Sequence, residues 1–205
     1  MQNRHLEITT YIDCPNRCSY CPQEMLIDAY KGKKQMSLDD FKLILSHTPK
    51  DVDIHFSGFS ESMFHPDVID FYLEAEKTHG LVVYTTTKGM KDEYIPVLSA
   101  IKFKQFVVHD RNSRQLPFPH ERVVINDTNK ISRGGNLWAT TDKGGEQCFN
   151  SPSFQQNVVL PNGDVYLCCM DYGLKHKIGN LYLQHFDELQ RDKQYDICHK
   201  CEKFI

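Results

Sequence analysis

The sequence lacks the features that carry a chain into or across a membrane. Its 205 residues contain no long apolar run, and Met1 is followed by polar and charged residues. Both a signal peptide and a transmembrane helix need an apolar segment. We therefore expect a cytoplasmic protein with no membrane partner.

The sequence also lacks an excess of either charge. Lys and Arg number 24 and Asp and Glu number 27, which gives a formal net charge of −3. A basic excess is the usual footprint of nucleic-acid binding, so there is no positive evidence for such a partner. The length fits one compact unit with a small appendage.

Cysteine is missing from residues 22–147, and the eight cysteines lie on either side of this gap. An even number of cysteines would allow disulfides, but in a cytoplasmic chain clustered thiols more often serve metal or redox chemistry. We predict two separate metal sites. The two groups are Cys14, Cys18 and Cys21, and then Cys148, Cys168, Cys169, Cys198 and Cys201.

The first group is spaced C-x3-C-x2-C and follows a short apolar strand. Three thiolates on one tight loop can hold three irons of a cubane cluster and leave the fourth iron without a protein ligand. An open metal position permits chemistry, whereas a fully ligated site supports only structure or electron transfer. A zinc site or a buried thiol cluster is the alternative.

This spacing, with Tyr20 directly before the last cysteine, resembles the signature of the radical S-adenosylmethionine (SAM) enzymes. The resemblance implies a [4Fe-4S] cluster whose open iron binds the amino and carboxylate groups of SAM. It also implies that one electron cleaves SAM to methionine and a 5′-deoxyadenosyl radical. An external one-electron reductant such as a flavodoxin or ferredoxin is then the expected partner.

Between the two cysteine groups, predicted strands alternate with predicted helices, which indicates a parallel sheet with right-handed crossovers. A crossover with its helix needs at least about 10–12 residues, and residues 110–121 just reach this length and contain two prolines, so we expect no helix there. Together with the resemblance, this predicts an α/β fold, a partial (β/α)6 barrel trimmed of some helices, over residues 1–141. Strands are predicted over 5–11, 53–57, 81–86, 103–109 and 122–126, and helices from Ser37, from His65-Pro66 to Gly80, and over 92–100.

Several loops that follow these strands resemble the SAM-binding segments of the family. Residues 57–66 resemble its Gly-Gly-Glu-Pro segment, although Phe59 and Ser60 stand where glycines are usual and Ser62 replaces the proline. The resemblance implies that backbone carbonyls and the acid of this segment receive the methionine amino group. An ordinary surface turn is the alternative.

Three further segments complete the predicted cofactor contacts. Residues 85–89 resemble a Thr-Asn-Gly turn, His109 follows the fourth strand, and residues 131–137 resemble an Arg-Ala-Gly-Asn segment. Arg133 could form a fork to the carboxylate of SAM, bind an acidic substrate or make a salt bridge. The predicted SAM contacts are Tyr20, Gly58, Phe59, Ser60, Glu61, Thr87, His109 and Arg133.

The last third of the chain combines a hairpin signal with the second cysteine group. Gly163 and Asp164 lie between two apolar runs, as in a β-hairpin. The spacings Gly163-x4-Cys168 and Cys198-x2-Cys201 resemble the SPASM domain and its shortened "twitch" form. We expect a hairpin-plus-helix domain over residues 142–205, with a structural zinc ribbon as the alternative. The predicted ligands of one auxiliary [4Fe-4S] cluster are Cys148, Cys168, Cys198 and Cys201, and Cys168 and Cys169 could exchange roles.

The resemblance therefore implies a radical SAM oxidoreductase or related radical enzyme that abstracts hydrogen from a small-molecule or nucleotide-like substrate. A net two-electron oxidation through the auxiliary cluster is one outcome. The alternatives are a maturase that modifies a peptide or protein, and a degenerate electron-transfer or scaffold protein. The sequence identifies neither the substrate nor a general base.

Overall fold

The computed structural model describes residues 4–109, 115–123, 131–141, 156–190 and 195–201. Its eight strands form one sheet in the order β5-β4-β3-β2-β1-β6-β7-β8. The pairs from β5 to β6 are parallel, whereas β6, β7 and β8 pair antiparallel. This open, unclosed sheet confirms the predicted partial barrel. The strands are β1 (Arg4–Ile8), β2 (Val52–Phe56), β3 (Leu81–Thr85), β4 (Gln105–Val108), β5 (Glu121–Arg122), β6 (Gln156–Val159), β7 (Asp164–Tyr166) and β8 (Lys177–Asn180).

Helices α2, α3 and α4 follow strands β1, β2 and β3 in the chain, as expected for a parallel sheet. Ser37 begins α2 with a complete capping box, because its side chain accepts a hydrogen bond from Asp40 N–H and the Asp40 carboxylate accepts one from Ser37 N–H. The helices are α1 (Gln23–Ala29), α2 (Leu38–Ser46), α3 (Val68–Glu76), α4 (Ile95–Ala100) and α5 (Asp196–His199), with 3₁₀ turns at Ser62–Phe64, Asp92–Tyr94 and Phe186–Glu188.

The two faces of the sheet differ in chemistry because strand side chains alternate. Leu6, Ile54 and Val83 belong to the main apolar core together with residues of α2 and α3. The opposite face of the same strands carries polar side chains, among them Glu7 and His55. A parallel sheet usually buries apolar residues on both faces, so a polar face marks a site rather than a core.

The predicted hairpin is present, but its first strand has a second role that the sequence did not suggest. β6 pairs antiparallel with β7 and also parallel with the central strand β1. Val158 and Val159 are fully buried, as in a strand covered on both faces. The sheet is therefore continuous across the proposed boundary between residues 141 and 142, and the division into two domains stays a prediction.

Element ends differ from the expectations in several places. Helix α3 begins at Val68 rather than at Pro66, and α1 was not predicted. The helix of the predicted hairpin-plus-helix domain was expected from about Phe186 to Asp192, and the structure has a 3₁₀ turn at Phe186–Glu188 instead. The described residues 115–120 contain no helix. None of the helices in the described part of the chain has the length and hydropathy to cross a membrane.

Candidate active site

A cavity of about 610 Å³ lies against the polar face of the sheet and its C-terminal edge. Loops at the carboxyl ends of parallel strands carry the functional groups in α/β folds. The loop that carries Cys14, Cys18 and Cys21, here called the thiol loop, forms one wall of this cavity. The polar side chains of β1 to β4 form another. Its lining includes Cys14, Cys18, Cys21, Tyr20, Gly58, Phe59, Ser60, Glu61, His109 and Arg133 from the predicted set, and also Glu7, His55, Tyr84, Gln105, Cys169 and Tyr172.

The thiol loop has a compact local structure. The N–H of Cys21 donates to the carbonyl of Cys18 at 3.0 Å, which closes the C-x2-C turn. Asp13 and Arg17 have positive φ angles of 80° and 45°, a conformation that costs a non-glycine residue about 1–2 kcal/mol. The Asn16 amide donates to Thr86 Oγ1 at 2.9 Å and holds the loop against the end of β3. The surrounding contacts thus hold a loop shape that is locally unfavourable.

The donor set of this loop fits an iron–sulfur cubane better than a single zinc ion. All three cysteines are free thiols that border the same cavity. A tetrahedral zinc with Zn–S bonds of about 2.3 Å would bring its sulfurs to roughly 3.8 Å from one another. Among the described residues, no three cysteine sulfurs lie within 4.8 Å of one another. A cubane holds its thiolates further apart, each on a different iron.

Burial raises the pKa of the Cys21 thiol, and the neighbouring Cys14 and Cys18 raise it further. The Tyr172 hydroxyl, 3.5 Å from Cys21 Sγ, acts in the opposite direction. A bound metal centre deprotonates such thiols outright, because its own charge dominates the site.

Glu61 fixes the loop after β2 to the end of β3. One carboxylate oxygen accepts from Thr85 Oγ1 at 2.9 Å and from Met63 N–H at 3.2 Å. The other accepts from the N–H and hydroxyl of Thr86, at 2.6 and 2.9 Å. A carboxylate offers about four lone-pair sites, so protein donors engage all of them. Burial raises the pKa of Glu61, and these hydrogen bonds oppose the rise.

The departure from the glycine-rich segment has a packing explanation. A Cβ on Gly58 would lie 2.4 Å from Thr9 Oγ1 and 2.9 Å from the carbonyl oxygen of Ile8, so only glycine fits there. Phe59 is 1% exposed, and its ring packs on Tyr172 at 4.6 Å between centroids. The aromatic residue therefore fills a space that a glycine would leave empty.

Thr87 is the predicted SAM contact that the structure places outside the cavity lining. Its N–H donates to Thr85 Oγ1 at 2.9 Å, and its φ of 62° turns the chain away from the strand. Thr85 and Thr86 line the cavity in its place.

The turn at residues 133–136 connects the thiol loop to the C-terminal part of the chain. Arg133, Gly134 and Gly135 all have positive φ angles. Arg133 Nε donates to the carbonyl of Tyr20 at 3.2 Å, and the Asn136 amide donates to the carbonyl of Met170 at 2.6 Å. The guanidinium of Arg133 lies in the cavity wall, within hydrogen-bonding reach of the thiol loop.

The second thiol group is divided by the structure. Cys198 and Cys201 are 7% and 8% exposed and belong to the main core, and both raise the pKa of Cys168, after the larger effect of burial. Cys201 N–H donates to the Cys198 carbonyl at 3.0 Å, as in the first C-x2-C turn. Cys169 lies in the cavity lining instead. Cys148 lies outside the described residues.

Glu7, Cys169 and Tyr172 are cavity residues that the sequence reasoning did not assign to the site. Glu7 carried a usable signal, because a charged residue between Leu6 and Ile8 in a strand marks a face that is not apolar. Cys169 and Tyr172 carried none, since their positions depend on how the 168–174 segment folds back over the thiol loop.

At the floor of the cavity, the lining residues His5 and His55 and the neighbouring Asp53 bring three ligand-type atoms within 4.8 Å of one another. The Lys104 ammonium lies 2.5 Å from Asp53 Oδ2 and neutralises this carboxylate. The group is an ion pair beside two imidazoles in edge-to-face contact, whose ring centroids are 4.4 Å apart.

Comparisons with known proteins agree with this geometry. Residues 148–202 match the SPASM family, described as an iron–sulfur cluster-binding domain. A comparison with curated protein sequences finds no match.

Two solved structures share the fold. The crystal structure of BtrN in complex with AdoMet and 2-DOIA gives a TM-score of 0.73 at 17% identity, over 98% of this chain and 94% of that chain. Streptococcus suis SuiB bound to precursor peptide SuiA gives 0.55 at 11% identity, over 97% of this chain and 69% of that chain.

The comparisons therefore show a match to the SPASM iron–sulfur cluster-binding domain over residues 148–202 and a fold shared with BtrN and SuiB over nearly the whole chain.

Proposed function

We propose that this chain is a radical SAM oxidoreductase that removes a hydrogen atom from a small molecule and completes a net two-electron oxidation. One observation carries the proposal: the three free thiols of the first loop and the polar face of β1 to β4 border a single cavity of about 610 Å³. Small-molecule sites typically enclose about 300–1,000 Å³. The cavity therefore has room for a cofactor and a small substrate side by side.

The proposed cofactor chemistry is that of the radical SAM enzymes, in which a reduced [4Fe-4S] cluster with one open iron would supply a 5′-deoxyadenosyl radical from bound SAM. Cys14, Cys18 and Cys21 would hold this cluster. Gly58, Phe59 and Ser60 would present backbone groups to the methionine part of SAM. His109 and Arg133 border the same space and are the remaining candidates for SAM contacts. Glu61, with its acceptor sites engaged, would hold the loop in position.

The side chains on the sheet floor favour a polar substrate. Glu7, His55, Tyr84 and Gln105 all line the cavity and offer hydrogen-bonding groups at the depth where a substrate would lie below SAM. A hydroxylated small molecule matches this lining better than an apolar one. The BtrN structure is a complex with a small molecule, 2-DOIA, together with AdoMet, which supports the same class.

The C-terminal thiols would hold one auxiliary [4Fe-4S] cluster, with Cys148, Cys168, Cys198 and Cys201 as ligands. Four protein ligands would leave no iron open to substrate, so this cluster would accept an electron rather than bind the reactant. A flavodoxin or ferredoxin of the cytoplasm is the proposed donor for the first cluster.

A peptide or protein substrate is the second candidate, and one comparison favours it. The SuiB structure is bound to a precursor peptide, and the sheet of this chain, over the residues that the structure describes, does not close into a barrel. Mass spectrometry of anaerobic reactions with candidate peptides and with small polyols separates the two. A mass change on a peptide and on no polyol would favour the maturase.

The proposal is tested on anaerobically purified, reconstituted protein. We expect about eight irons per chain and 5′-deoxyadenosine formation after reduction with SAM present. About four irons per chain together with bound zinc would favour the alternative of a structural zinc ribbon at the C-terminal thiols. No 5′-deoxyadenosine above background would favour the electron-transfer or scaffold alternative.

A further inference from the structure

Two histidines on the cavity floor carry buried ring nitrogens that have no hydrogen-bond partner. His5 on β1 and His55 on β2 both line the cavity, and His55 is only 8% exposed. His5 Nδ1 and His55 Nε2 are both buried, and neither forms a hydrogen bond with a described residue. A buried polar atom that is left unpaired costs about 1–3 kcal/mol. Two such atoms on neighbouring strands in a cavity floor therefore call for a ligand.

The carboxylate of Asp53 completes a group of three ligand-type side chains. Asp53 is 7% exposed and lies directly opposite His5 in the pairing of β1 with β2. Its Oδ2 is 3.8 Å from His5 Nδ1, and one ligand atom from each of the three residues lies within 4.8 Å of the other two. Two imidazoles and one carboxylate are a ligand set of divalent transition metal sites. Because the three residues belong to paired strands, their spacing is fixed by the sheet.

Lys104 supplies the positive charge beside this group. Its ammonium lies 2.5 Å from Asp53 Oδ2, and its side chain is 49% exposed. Burial lowers the pKa of both histidines, to about 3 for His55, and the Lys104 charge lowers both further. Neutral imidazole is the form that binds a metal ion. The flexible stem of Lys104 allows its ammonium to move into solvent, so a metal ion can take its place.

The group is separated along the sheet from the thiol loop. His5 and Asp53 lie near the amino-terminal ends of β1 and β2, whereas the thiol loop follows the carboxyl end of β1. A strand rises about 3.3 Å per residue, so His5 and Ile8 are about 10 Å apart along β1. A metal ion at this group would be a centre of its own, distinct from both proposed clusters.

We propose that His5, Asp53 and His55 bind one divalent transition metal ion at the floor of the cavity, with Zn²⁺ as the reference ion. Each residue supplies one ligand atom, and Lys104 moves aside when the ion binds. Three protein ligands leave a coordination position for water or for an oxygen atom of a molecule bound in the cavity. Metal binding here is independent of SAM cleavage and goes beyond the proposed function.

Zinc binding is measured on reconstituted holoprotein with oxidised clusters, so that iron already occupies the thiols. Equilibrium dialysis against Zn²⁺ alone, followed by metal analysis, gives the stoichiometry and the affinity. His55→Gln and Asp53→Asn each remove one ligand. His185→Gln is the control, because it removes one histidine from another close pair, whose ring centroids are 4.6 Å apart and in which His47 is the second member.

We expect wild-type protein to bind about one zinc ion per chain. Loss of an outer-shell partner already costs about 10–100-fold in metal affinity, so loss of a ligand in His55→Gln or Asp53→Asn should weaken zinc binding at least about a hundredfold. His185→Gln should bind zinc as wild type does. Absence of zinc binding in wild type overturns the proposal, and so does equal affinity in wild type and the two ligand variants.

A further variant predicts a gain of affinity, which misfolding cannot produce. Lys104→Met removes the competing charge beside Asp53 and keeps an unbranched side chain. Because like charges a few ångströms apart repel strongly in a protein, zinc affinity should rise at least about threefold. The control Lys102→Met removes an exposed charge two residues away and should leave the affinity unchanged. An unchanged affinity in Lys104→Met would overturn the placement of the ion beside Asp53.

X-ray absorption at the zinc edge identifies the ligand atoms. Nitrogen and oxygen at about 2.0–2.2 Å are expected, whereas sulfur alone at about 2.3 Å would place the zinc at the thiols and overturn the proposal. Excess Mg²⁺ should not displace the zinc, because Mg²⁺ prefers oxygen ligands to imidazole. Displacement by Mg²⁺ would contradict ligation by the two histidines. None of these measurements uses SAM, so a negative result leaves the proposed function standing, and absence of 5′-deoxyadenosine leaves this site standing.

Discussion

The two thiol regions are alike in local structure and differ in their surroundings. Each contains a C-x2-C turn closed by a 3.0 Å hydrogen bond, from Cys21 to Cys18 and from Cys201 to Cys198. The first turn borders the cavity, whereas Cys198 and Cys201 are buried in the main core. Ligand spacing alone therefore specifies that a metal centre can bind, and the packing around it decides whether that centre can meet a substrate.

The Cys168–Cys169 dipeptide shows the same contrast on a smaller scale. Cys168 faces the other C-terminal thiols, and Cys169 faces the cavity. Neighbouring residues of one type thus belong to different sites, because the backbone at this point passes between the core and the cavity wall.

The largest expected effect is the loss of the first cluster without loss of the second. Cys18→Ala should abolish 5′-deoxyadenosine formation and lower the iron content from about eight to about four per chain, because one cubane loses a ligand. Iron analysis and chromatography of the reaction products measure both.

Cys201→Ala is the matched variant in the second region. It should also lower the iron content but retain 5′-deoxyadenosine formation, since the first cluster is intact. Loss of all iron in either variant would show that the two sites do not assemble independently.

Glu61→Gln tests the first region alone. The amide replaces one acceptor oxygen with a donor that faces the hydrogen-bond donors of Thr85, Thr86 or Met63. Leaving buried donors unpaired costs about 1–3 kcal/mol per group, so thermal stability and SAM affinity should both fall. Calorimetry and SAM titration measure these, with exposed Glu24→Gln as the control. An unchanged SAM affinity would contradict the positioning role of Glu61.

Asn136→Ala tests the connection between the regions. It removes hydrogen bonds to the carbonyls of Met170 and Arg133, both 2.6 Å long, and should destabilise the protein by about 2 kcal/mol. Chemical denaturation measures the change. The control Thr140→Val removes an exposed bond to the Lys200 carbonyl and should cost under about 0.5 kcal/mol. Equal losses of stability in both variants would contradict a connecting role for the turn at residues 133–136.

The smallest expected effect is a change in how stability depends on pH, caused by His55 in the cavity wall. Burial, His5 and Lys104 lower the pKa of His55 from 6.5 to about 3. A depressed folded-state pKa gives stability that is present above pH 6.5 and is lost as the pH falls below it.

His55→Gln should therefore reduce the loss of stability of the cluster-free protein between pH 7.5 and pH 6.0 by about 1 kcal/mol. Urea denaturation at the two pH values measures it. An identical loss in wild type and variant would contradict the neutral, buried state of His55.

Sequence patterns predicted the local features of this molecule well. The thiol spacing, the Ser37 capping box and the β6–β7 hairpin depend on residues close together in the chain, where side-chain chemistry decides the structure. The pairing of β6 with β1 was not predicted, because strand order depends on contacts between residues about 150 positions apart. The positions of Cys169 and Tyr172 in the cavity could not be predicted for the same reason. The single charge of Glu7 between apolar residues of a strand, in contrast, does indicate a polar face at that position.

Of the two proposed clusters, only the first is expected to meet SAM. Electron paramagnetic resonance of the reduced protein tests this directly, in wild type and in Cys18→Ala. We expect SAM to shift one of two wild-type signals and to leave the single signal of Cys18→Ala unchanged. A SAM-dependent shift in Cys18→Ala, or no shift in wild type, would contradict the assignment of the radical-generating cluster to Cys14, Cys18 and Cys21.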